Sequence, residues 1–246
     1  MRNIKILLEY DGTEYAGWQV QPDRPTVQGT VIEAIKRLTN NEAVSLTGAS
    51  RTDSGVHALG QTANFLTSSK IPVTSIHKGL NAMLPGDIVV TRAEEAPAGF
   101  DARRRALSKT YVYRVVNRGF PVAVQRRFCW VVSRPLDMEL MSHGARYFPG
   151  KKDFTSFRAA GSDAPHSIRE VLSVEVKKTG DDALEFEVRG TAFLRHMVRN
   201  MVGALAAVGM GKIEPSEIGR IIEARDRRVA PATAPARGLF LKEVKY

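Results

Sequence analysis

Apolar residues recur with two different periods along this chain, and these periods predict where strands and helices lie. The apolar run at residues 4–10 ends at Asp11-Gly12, which predicts a strand followed by a turn. Apolar side chains then recur at spacings of four, four and three over residues 27–38. Such a stripe is typical of an amphipathic helix, and Thr26 is its expected N-cap.

The same kinds of element continue, and the second half of the chain repeats their order. In the first half, further strands are predicted at 43–46, 62–65 and 88–90 and a helix at 72–84. In the second half, strands are predicted at 110–117, 170–178, 183–190 and 239–244 and helices at 137–148, 193–208 and 215–225. The two halves share this pattern and very little sequence identity.

A break in both periods separates the halves. Residues 94–109 contain small residues, a proline and three consecutive arginines, and neither period survives across them. We therefore predict two domains, residues 1–105 and residues 106–246, each with a ferredoxin-like or RRM-like order of elements. The predicted fold class is α+β, with the two halves joined through an extended, mainly antiparallel sheet.

The charge balance indicates the kind of partner. The 246 residues carry a formal net charge of +10, and an excess of this size indicates a polyanion, either nucleic acid or an anionic membrane surface. No apolar run is long enough to span a membrane and the N-terminus has no signal-peptide pattern, so nucleic acid is favoured. The single Cys129 excludes an internal disulfide and a cysteine-rich zinc site, which makes a cytoplasmic location the default.

The most chemically dense stretch is residues 48–61, between two predicted strands. Its seven residues from 51 to 57 hold two charged side chains, two hydroxyls and an imidazole, beside glycines that permit unusual φ angles. Residue chemistry alone does not distinguish between two interpretations of this stretch. The stretch is either a functional loop or a polar turn in which Asp53 or Ser54 bonds its own backbone.

The predicted helix at 193–208 carries two arginines beside its apolar stripe. Arg195 and Arg199 would lie one turn apart, and like charges at that spacing destabilise an isolated helix by about 0.2–0.5 kcal/mol. Either both side chains extend along a solvated edge, or an acidic or phosphate partner lies nearby. The apolar neighbours Val198 and Met201 favour a specific counter-ion for Arg199, and an aspartate in that position would remain an ionised nucleophile.

Tyrosines and arginine runs add a possible RNA-binding surface. Tyr111 and Tyr113 lie two residues apart on a predicted strand and so point to one face. Aromatic rings beside basic residues can stack on RNA bases, although a strand tyrosine is more often a core residue. The arginine runs suit phosphate contacts better than an ordinary solvated face, given the net charge. They lie at 103–105, 126–127 and 227–228.

Several motifs that would indicate other chemistries do not occur. The sequence contains no GxxxxGK[ST], no GxGxxG and no HExxH. The five histidines show no spacing that is typical of metal ligands. The sequence therefore implies neither a metal nor a nucleotide cofactor.

These residues and several further motifs resemble the TruA family of tRNA pseudouridine synthases, and the resemblance extends over essentially the whole chain. The most specific match is GASRTDSGVH at 48–57, which follows the family pattern G-R-T-D-x-G-V-H apart from Ala49-Ser50 before the arginine. Further matches follow in the family's order. They are EYDG at 9–12, GWQ at 17–19, Asn81 with LPGDI at 84–88, Phe100 with Ala102-Arg103, Tyr111 with Tyr113, DFTSF at 153–157, FL at 193–194 and MVRN at 197–200.

This resemblance implies an isomerase that converts uridine to pseudouridine at positions 38 to 40 of the tRNA anticodon stem-loop. Asp53 would be the catalytic carboxylate, attacking either the ribose C1′ or the uracil ring. Tyr111 would stack on the extruded uridine, Arg51 would help displace or replace that base, and Arg199 would pair with Asp53 and hold it ionised. The resemblance also implies a central cleft, a homodimer, no cofactor, and contacts to the tRNA backbone from Phe100, Arg103 and Arg104.

Two other classes of function remain open from the residues alone. A non-catalytic RNA-binding module with paired RRM-like halves is disfavoured because the chain lacks an aromatic RNP1-type octamer. A hydrolase that uses Asp53 with a distant carboxylate would need a second acid, and no other acidic residue is convincingly placed.

Overall fold

The computed structural model describes residues 1–40, 43–159, 161 and 164–246, which form two compact units. Unit 1 comprises Met1–Leu107 and Leu241–Tyr246, and unit 2 comprises Ser108–Phe240. In the described part of the chain, no helix is long and apolar enough to cross a membrane.

Unit 1 is built on a strand that has an antiparallel neighbour on each side. Strand β1 lies between β3 and β4, and β2 also pairs antiparallel with β3. The order of elements is the strand and helix pattern that the sequence predicts. The elements are β1 (Arg2–Tyr10), α1 (Val27–Thr39), β2 (Leu46–Gly48), β3 (His57–Thr67), α2 (Val73–Met83) and β4 (Ile88–Ala96).

Alternate residues of β1 supply one layer of the unit 1 core. Ile4, Ile6 and Leu8 are fully buried, whereas Lys5 and Leu7 between them are partly exposed, as the two-residue period of a strand requires. Helices α1 and α2 bury their own apolar stripes within the same unit. The helical and strand periods in the sequence therefore mark the residues that exclude water.

The ends of α1 follow from its capping residues. The Thr26 side chain accepts a hydrogen bond from the Gly29 N–H, so the predicted N-cap is confirmed. At the other end Asn40 adopts the left-handed conformation, with φ 48°, and its N–H donates to the Lys36 carbonyl. These contacts fix the helix that precedes β2.

Unit 2 is a second α+β unit, whose strands β5, β9, β8 and β7 are successive antiparallel neighbours. Strand β6 departs from this arrangement because it pairs parallel with β5. The α+β class with mainly antiparallel strands is thus confirmed. The elements are β5 (Ser108–Asn117), β6 (Trp130–Val132), α3 (Met138–Ala145), β7 (Gly150–Asp153), β8 (Ile168–Lys178), β9 (Ala183–Gly190), α4 (Met197–Gly209), α5 (Glu217–Ala224) and β10 (Leu239–Lys245), the last of which begins in unit 2 and ends in unit 1.

Helix α4 is the centre of the unit 2 core. Every residue of this helix is buried except Arg199, so the expected combination of one apolar stripe and one polar face is wrong. The helix begins at Met197 and not at 193, because His196 has a left-handed backbone with φ 63°. Arg195 consequently precedes the helix and is exposed, and the expected stacking of Arg195 on Arg199 does not occur on this helix.

The end of α3 and two short strands also differ from the sequence prediction. Helix α3 ends at Ala145 and not at 148, although its N-cap Asp137 begins the predicted segment and accepts from the Leu140 N–H. The short strands β6 and β7 were not predicted. Each is only three or four residues long, which is too short for a period to be detected.

Gly203 provides a test of how closely α4 is packed. A Cβ added there would lie 2.0 Å from the Ala232 carbonyl oxygen. We expect Gly203→Ala to lower the free energy of unfolding by about 2–3 kcal/mol, since overpacking outweighs the roughly 1 kcal/mol that alanine gains over glycine in a helix. Urea denaturation measures this quantity.

The matched control is Gly86→Ala, where an added Cβ has no heavy atom within 4 Å. This variant should unfold within about 0.5 kcal/mol of the unsubstituted protein. Equal stability of the two variants would contradict the close approach of residue 232 to α4.

Candidate active site

Residues 49–56 connect β2 to β3 and hold most of the chemically dense stretch, whose last residues belong to β3. This loop is shorter than predicted, because β3 already begins at His57. The Val56 N–H donates to the Asp53 carbonyl at 3.1 Å, and Gly55 has a positive φ of 74°. Half-buried Asp53 is therefore carried on a tight turn at the start of a mostly buried strand.

The connection between β1 and α1 holds this turn by hydrogen bonds. The buried hydroxyls of Tyr10 and Thr52 lie 2.8 Å apart. The Trp18 N–H donates to the Thr52 carbonyl at 3.1 Å, and the Ser54 hydroxyl donates to the Tyr15 carbonyl at 3.1 Å. The residues on both sides of the candidate carboxylate are thus bonded to the same connection.

Two glycines let this connection approach the turn closely. Gly17 has φ 100°, and a Cβ there would lie 2.6 Å from the Thr52 carbonyl oxygen and 3.1 Å from the Asp53 carbonyl carbon. At Gly12, an added Cβ would lie 2.0 Å from the Val56 carbonyl oxygen. A side chain at either position would displace the backbone that carries Asp53.

Buried polar side chains fix both ends of the loop. His57 is 1% exposed, and its Nδ1 lies 3.0 Å from the Gly12 nitrogen and 3.1 Å from Asp11 Oδ1. Gln61 is fully buried and exchanges two hydrogen bonds with the backbone of Ser50, at 2.6 and 3.2 Å. Since a buried polar group without partners is costly, these bonds favour a single loop conformation.

The connection is itself anchored to the turn before β4. The Tyr15 hydroxyl donates to Asp87 Oδ1 at 2.7 Å, and the Asp11 N–H donates to the Asp87 carbonyl at 3.0 Å. Burial, followed by the hydrogen bond to Asp87, raises the pKa of Tyr15 well above its ordinary value. The hydroxyl therefore keeps its proton, and this anchor does not change across the physiological pH range.

Arg51 lies on the same loop, two positions before Asp53, and its side chain is exposed. Unit 1 thus brings two of the predicted site residues into one short segment. Among the residues that the structure describes, no group of three or more histidine, cysteine, aspartate or glutamate side chains could hold a metal ion.

Tyr111 and Tyr113 lie on β5 in unit 2, and both rings are buried. Tyr111 is 5% exposed and meets Phe193 edge to face, with ring centroids 5.3 Å apart. Tyr113 is fully buried, meets Trp130 edge to face at 6.3 Å and donates to the Pro235 carbonyl at 2.7 Å. Tyr113 is a core residue, whereas Tyr111 keeps a small accessible area.

Arg199, also in unit 2, forms hydrogen bonds to Ala234 through both its side chain and its backbone. Its Nε donates to the Ala234 carbonyl at 2.8 Å, and the Ala234 N–H donates to the Arg199 carbonyl at 3.1 Å. Arg199 is the one residue of α4 that is not buried. The geometry therefore presents part of a guanidinium at the surface of a rigid core helix.

A hydrogen-bond network that sequence analysis missed fixes the segment to which Arg199 binds. Asn200 is 1% exposed; its Nδ2 donates to the Phe157 carbonyl at 2.7 Å, and its Oδ1 accepts from the Thr233 hydroxyl at 2.6 Å. Arg227 donates to Thr233 Oγ1 at 3.0 Å and to the Pro231 carbonyl at 3.0 Å. The only sequence signal was the match MVRN, in which the asparagine follows the arginine directly.

The predicted tRNA contacts around residue 100 have different environments. Phe100 is partly exposed and packs on Tyr246, with centroids 5.0 Å apart. Arg103 and Arg104 are exposed, and their backbone N–H groups both donate to Asp101 Oδ1 at 2.8 Å. Asp101 thus forms a turn that directs two guanidiniums into solvent.

Comparison with known proteins identifies the family of this chain. The sequence model of the family described as tRNA pseudouridine synthase matches residues 6–103 and 145–246. A tRNA pseudouridine synthase A from Acetivibrio thermocellus is 50% identical over 246 residues, which is all of both chains. The protein of the same name from Myxococcus xanthus is 44% identical over all of this chain and 92% of its own. The chain belongs to the tRNA pseudouridine synthase family.

Membership of the tRNA pseudouridine synthase family confirms the resemblance found in the sequence. Pseudouridine synthases are isomerases, so the prediction of an enzyme of this class is also confirmed. Among solved structures, the archaeal box H/ACA sRNP Nop10-Cbf5 complex matches at 13% identity, with a TM-score of 0.35, over 82% of this chain and 44% of that one. At that score the likeness adds nothing to the assignment.

The contact between Gly17 and the turn generates a prediction about activity. We expect Gly17→Ala to lower the rate of pseudouridine formation in tRNA by about tenfold or more, because the new Cβ displaces the backbone at residues 52–54. The rate is measured as single-turnover formation of pseudouridine. Circular dichroism should show that the variant remains folded.

Gly99→Ala is the matched control, since an added Cβ there has nothing within 4 Å. It should react at the rate of the unsubstituted enzyme. An active Gly17→Ala enzyme would mean that the position of the turn is not important for the reaction.

Proposed function

We propose that this protein converts uridine to pseudouridine at positions 38 to 40 of the tRNA anticodon stem-loop, with Asp53 as the catalytic carboxylate. The observation that carries the proposal is the fixed turn of residues 52–56. It presents a half-buried carboxylate, and hydrogen bonds and two glycine contacts hold its backbone. Preorganisation of this kind suits a group that must attack at a defined angle.

The reaction exchanges one bond to the ribose for another. Asp53 attacks the ribose C1′ or the uracil ring, the bond between N1 and C1′ breaks, and the base rotates. C5 then bonds to C1′, and the bond to Asp53 breaks so that the carboxylate is regenerated. The proton lost from C5 and the proton gained at N1 balance, so the product is an isomer of unchanged mass. The reaction needs no redox change and no added group.

Three further residues have proposed roles in binding the substrate. Tyr111 stacks on the uridine, Arg51 helps displace or replace the base in its stack, and Arg199 pairs with Asp53. The bond from Arg199 Nε to the Ala234 carbonyl supports a guanidinium held in a fixed position. The exposed Arg103 and Arg104, beside Phe100, supply contacts to the tRNA backbone.

The proposal also covers the oligomeric state, the location and the cofactor of the enzyme. We propose that it acts as a homodimer without a cofactor, as the resemblance implies, and that it is cytoplasmic, for which the single Cys129 is the argument. A non-catalytic RNA-binding module is the alternative. The family assignment and the held carboxylate favour catalysis.

Asp53→Asn tests the role of the carboxylate. The amide has almost the same shape and cannot act as an anionic nucleophile, so we expect product formation to fall roughly 1,000-fold or more while tRNA affinity stays within about threefold. Mass-neutral conversion of uridine is measured by nucleoside chromatography, and affinity by filter binding.

Asp181→Asn is the control, because Asp181 is an exposed carboxylate in the 179–182 connection between β8 and β9 and no role is proposed for it. Turnover by Asp53→Asn at the rate of the control would reject the assignment. Binding of tRNA without any product from the unsubstituted protein would favour the binding module.

Arg199→Lys tests whether the forked shape of the guanidinium is needed. Lysine keeps the charge but cannot bond the Ala234 carbonyl and a carboxylate in the same plane, so we expect kcat to fall about 10- to 100-fold with little change in KM. Exposed Arg195, which precedes α4, is the matched control as Arg195→Lys. A change confined to KM would assign Arg199 to tRNA binding and remove it from the chemical step.

A further inference from the structure

A loop in unit 2, residues 118–127, has no role in the proposed reaction and an unusual surface. It begins the connection between β5 and β6, which are parallel neighbours and therefore need a crossover between them. The parallel pairing of β5 and β6 explains why a long connection is present, but it does not explain which residues the connection contains. The loop lies outside the ranges that the family model matches.

The loop has a defined conformation that Arg118 organises. Its guanidinium donates to the carbonyls of Phe120 and Pro121, at 3.3 and 2.9 Å, and to Asp182 Oδ2 at 3.2 Å. Farther along, Arg126 donates to the Ala123 carbonyl at 3.0 Å. These bonds fix the backbone before any partner arrives, which lowers the entropic cost of binding.

The fixed loop exposes an aromatic ring. Phe120 is 63% exposed, and the Arg118 guanidinium lies 4.4 Å from the centroid of its ring. Val124 in the same loop is 89% exposed. Isolated apolar residues on a surface need no explanation. Here, however, the contacts of Arg118 with the Phe120 carbonyl and ring keep the ring at the surface, where it does not gain the stabilisation of burial.

The charge of the loop selects the kind of partner. Residues 118–127 contain three arginines and no acidic residue, and Asp182 is the carboxylate that contacts Arg118. An aromatic ring backed by a guanidinium, beside further arginines, matches the chemistry that stacks on a nucleic-acid base and neutralises phosphates. A protein partner would have to supply acidic groups as well as an apolar surface.

We propose that residues 118–127 form a second RNA-contact surface, in which the exposed ring of Phe120 stacks on an unpaired base of tRNA and Arg126 binds a neighbouring phosphate. The inference rests on tRNA as the substrate, as in the proposed function. It does not depend on the role of Asp53. The surface contributes to affinity through stacking and to salt dependence through phosphate contact.

Direct binding of unmodified tRNA, without turnover, tests the stacking contact. We expect Phe120→Ala to raise the Kd about tenfold, while Phe120→Trp, which keeps a ring, stays within about twofold. Leu172→Ser, on β8 and 41% exposed, is the matched control for loss of exposed apolar surface and should also stay within about twofold. Thermal unfolding of each variant checks that the fold is intact.

Salt titration tests the phosphate contact. We expect Arg126→Gln to reduce the slope of log Kd against log salt concentration by roughly 0.7–0.9, the value for one phosphate. Unchanged Kd and slope for Phe120→Ala and Arg126→Gln would overturn the proposal. So would a loss of self-association on sedimentation of Phe120→Ala with unchanged tRNA affinity, which would assign the loop to protein contact.

Because these measurements need no reaction, they separate this surface from the catalytic proposal. If Asp53→Asn retained turnover, the stacking result would still stand. If Phe120→Ala bound tRNA normally, the role of Asp53 would be unaffected.

Discussion

The close backbone approach between the β1–α1 connection and the turn at residues 52–56 is the constraint on which the candidate site depends. Two glycines permit it, since a Cβ at Gly12 or Gly17 would come within 2.0 or 2.6 Å of a carbonyl oxygen of the turn. The hydrogen bond between Tyr10 and Thr52 then fixes the distance. Neighbouring segments thus determine the position of Asp53, and the turn need not be stable alone.

In unit 2 the segment 230–234 is positioned by the close approach of Ala232 to Gly203 and by a hydrogen-bond network around the buried Asn200. Helix α4 is almost wholly buried, so its one partly exposed arginine is carried on a helix whose other residues all lie in the core. Asn200 and Arg227 hold the 230–234 segment, and this segment in turn holds Arg199. A satisfied buried network specifies one arrangement because any alternative would leave polar groups without partners.

Period and capping were sufficient to predict most of the fold from sequence. The Thr26 cap and the alternation of buried and partly exposed residues in β1 and β9 depend on local rules. The errors arose where tertiary contacts decide the outcome. The left-handed His196 delays α4, and β6 is three residues long because it forms only by pairing with β5. No local pattern contains that information.

In the candidate site, too, some residues can be identified from the sequence and others only from the fold. A dense motif made Asp53 and Arg51 visible in the sequence. Gln61 instead acts through bonds to the Ser50 backbone and Thr233 through bonds to the Asn200 and Arg227 side chains, and only the fold creates these contacts. The fold also changes the meaning of Tyr113, which the pattern grouped with Tyr111. With its hydroxyl bonded to Pro235 and its ring fully buried, Tyr113 holds the segment that follows Ala234 and cannot stack on a base. Two tyrosines on one face of a strand thus have separate tasks: one stabilises the segment that binds Arg199, and the other is left as the proposed platform for the uridine.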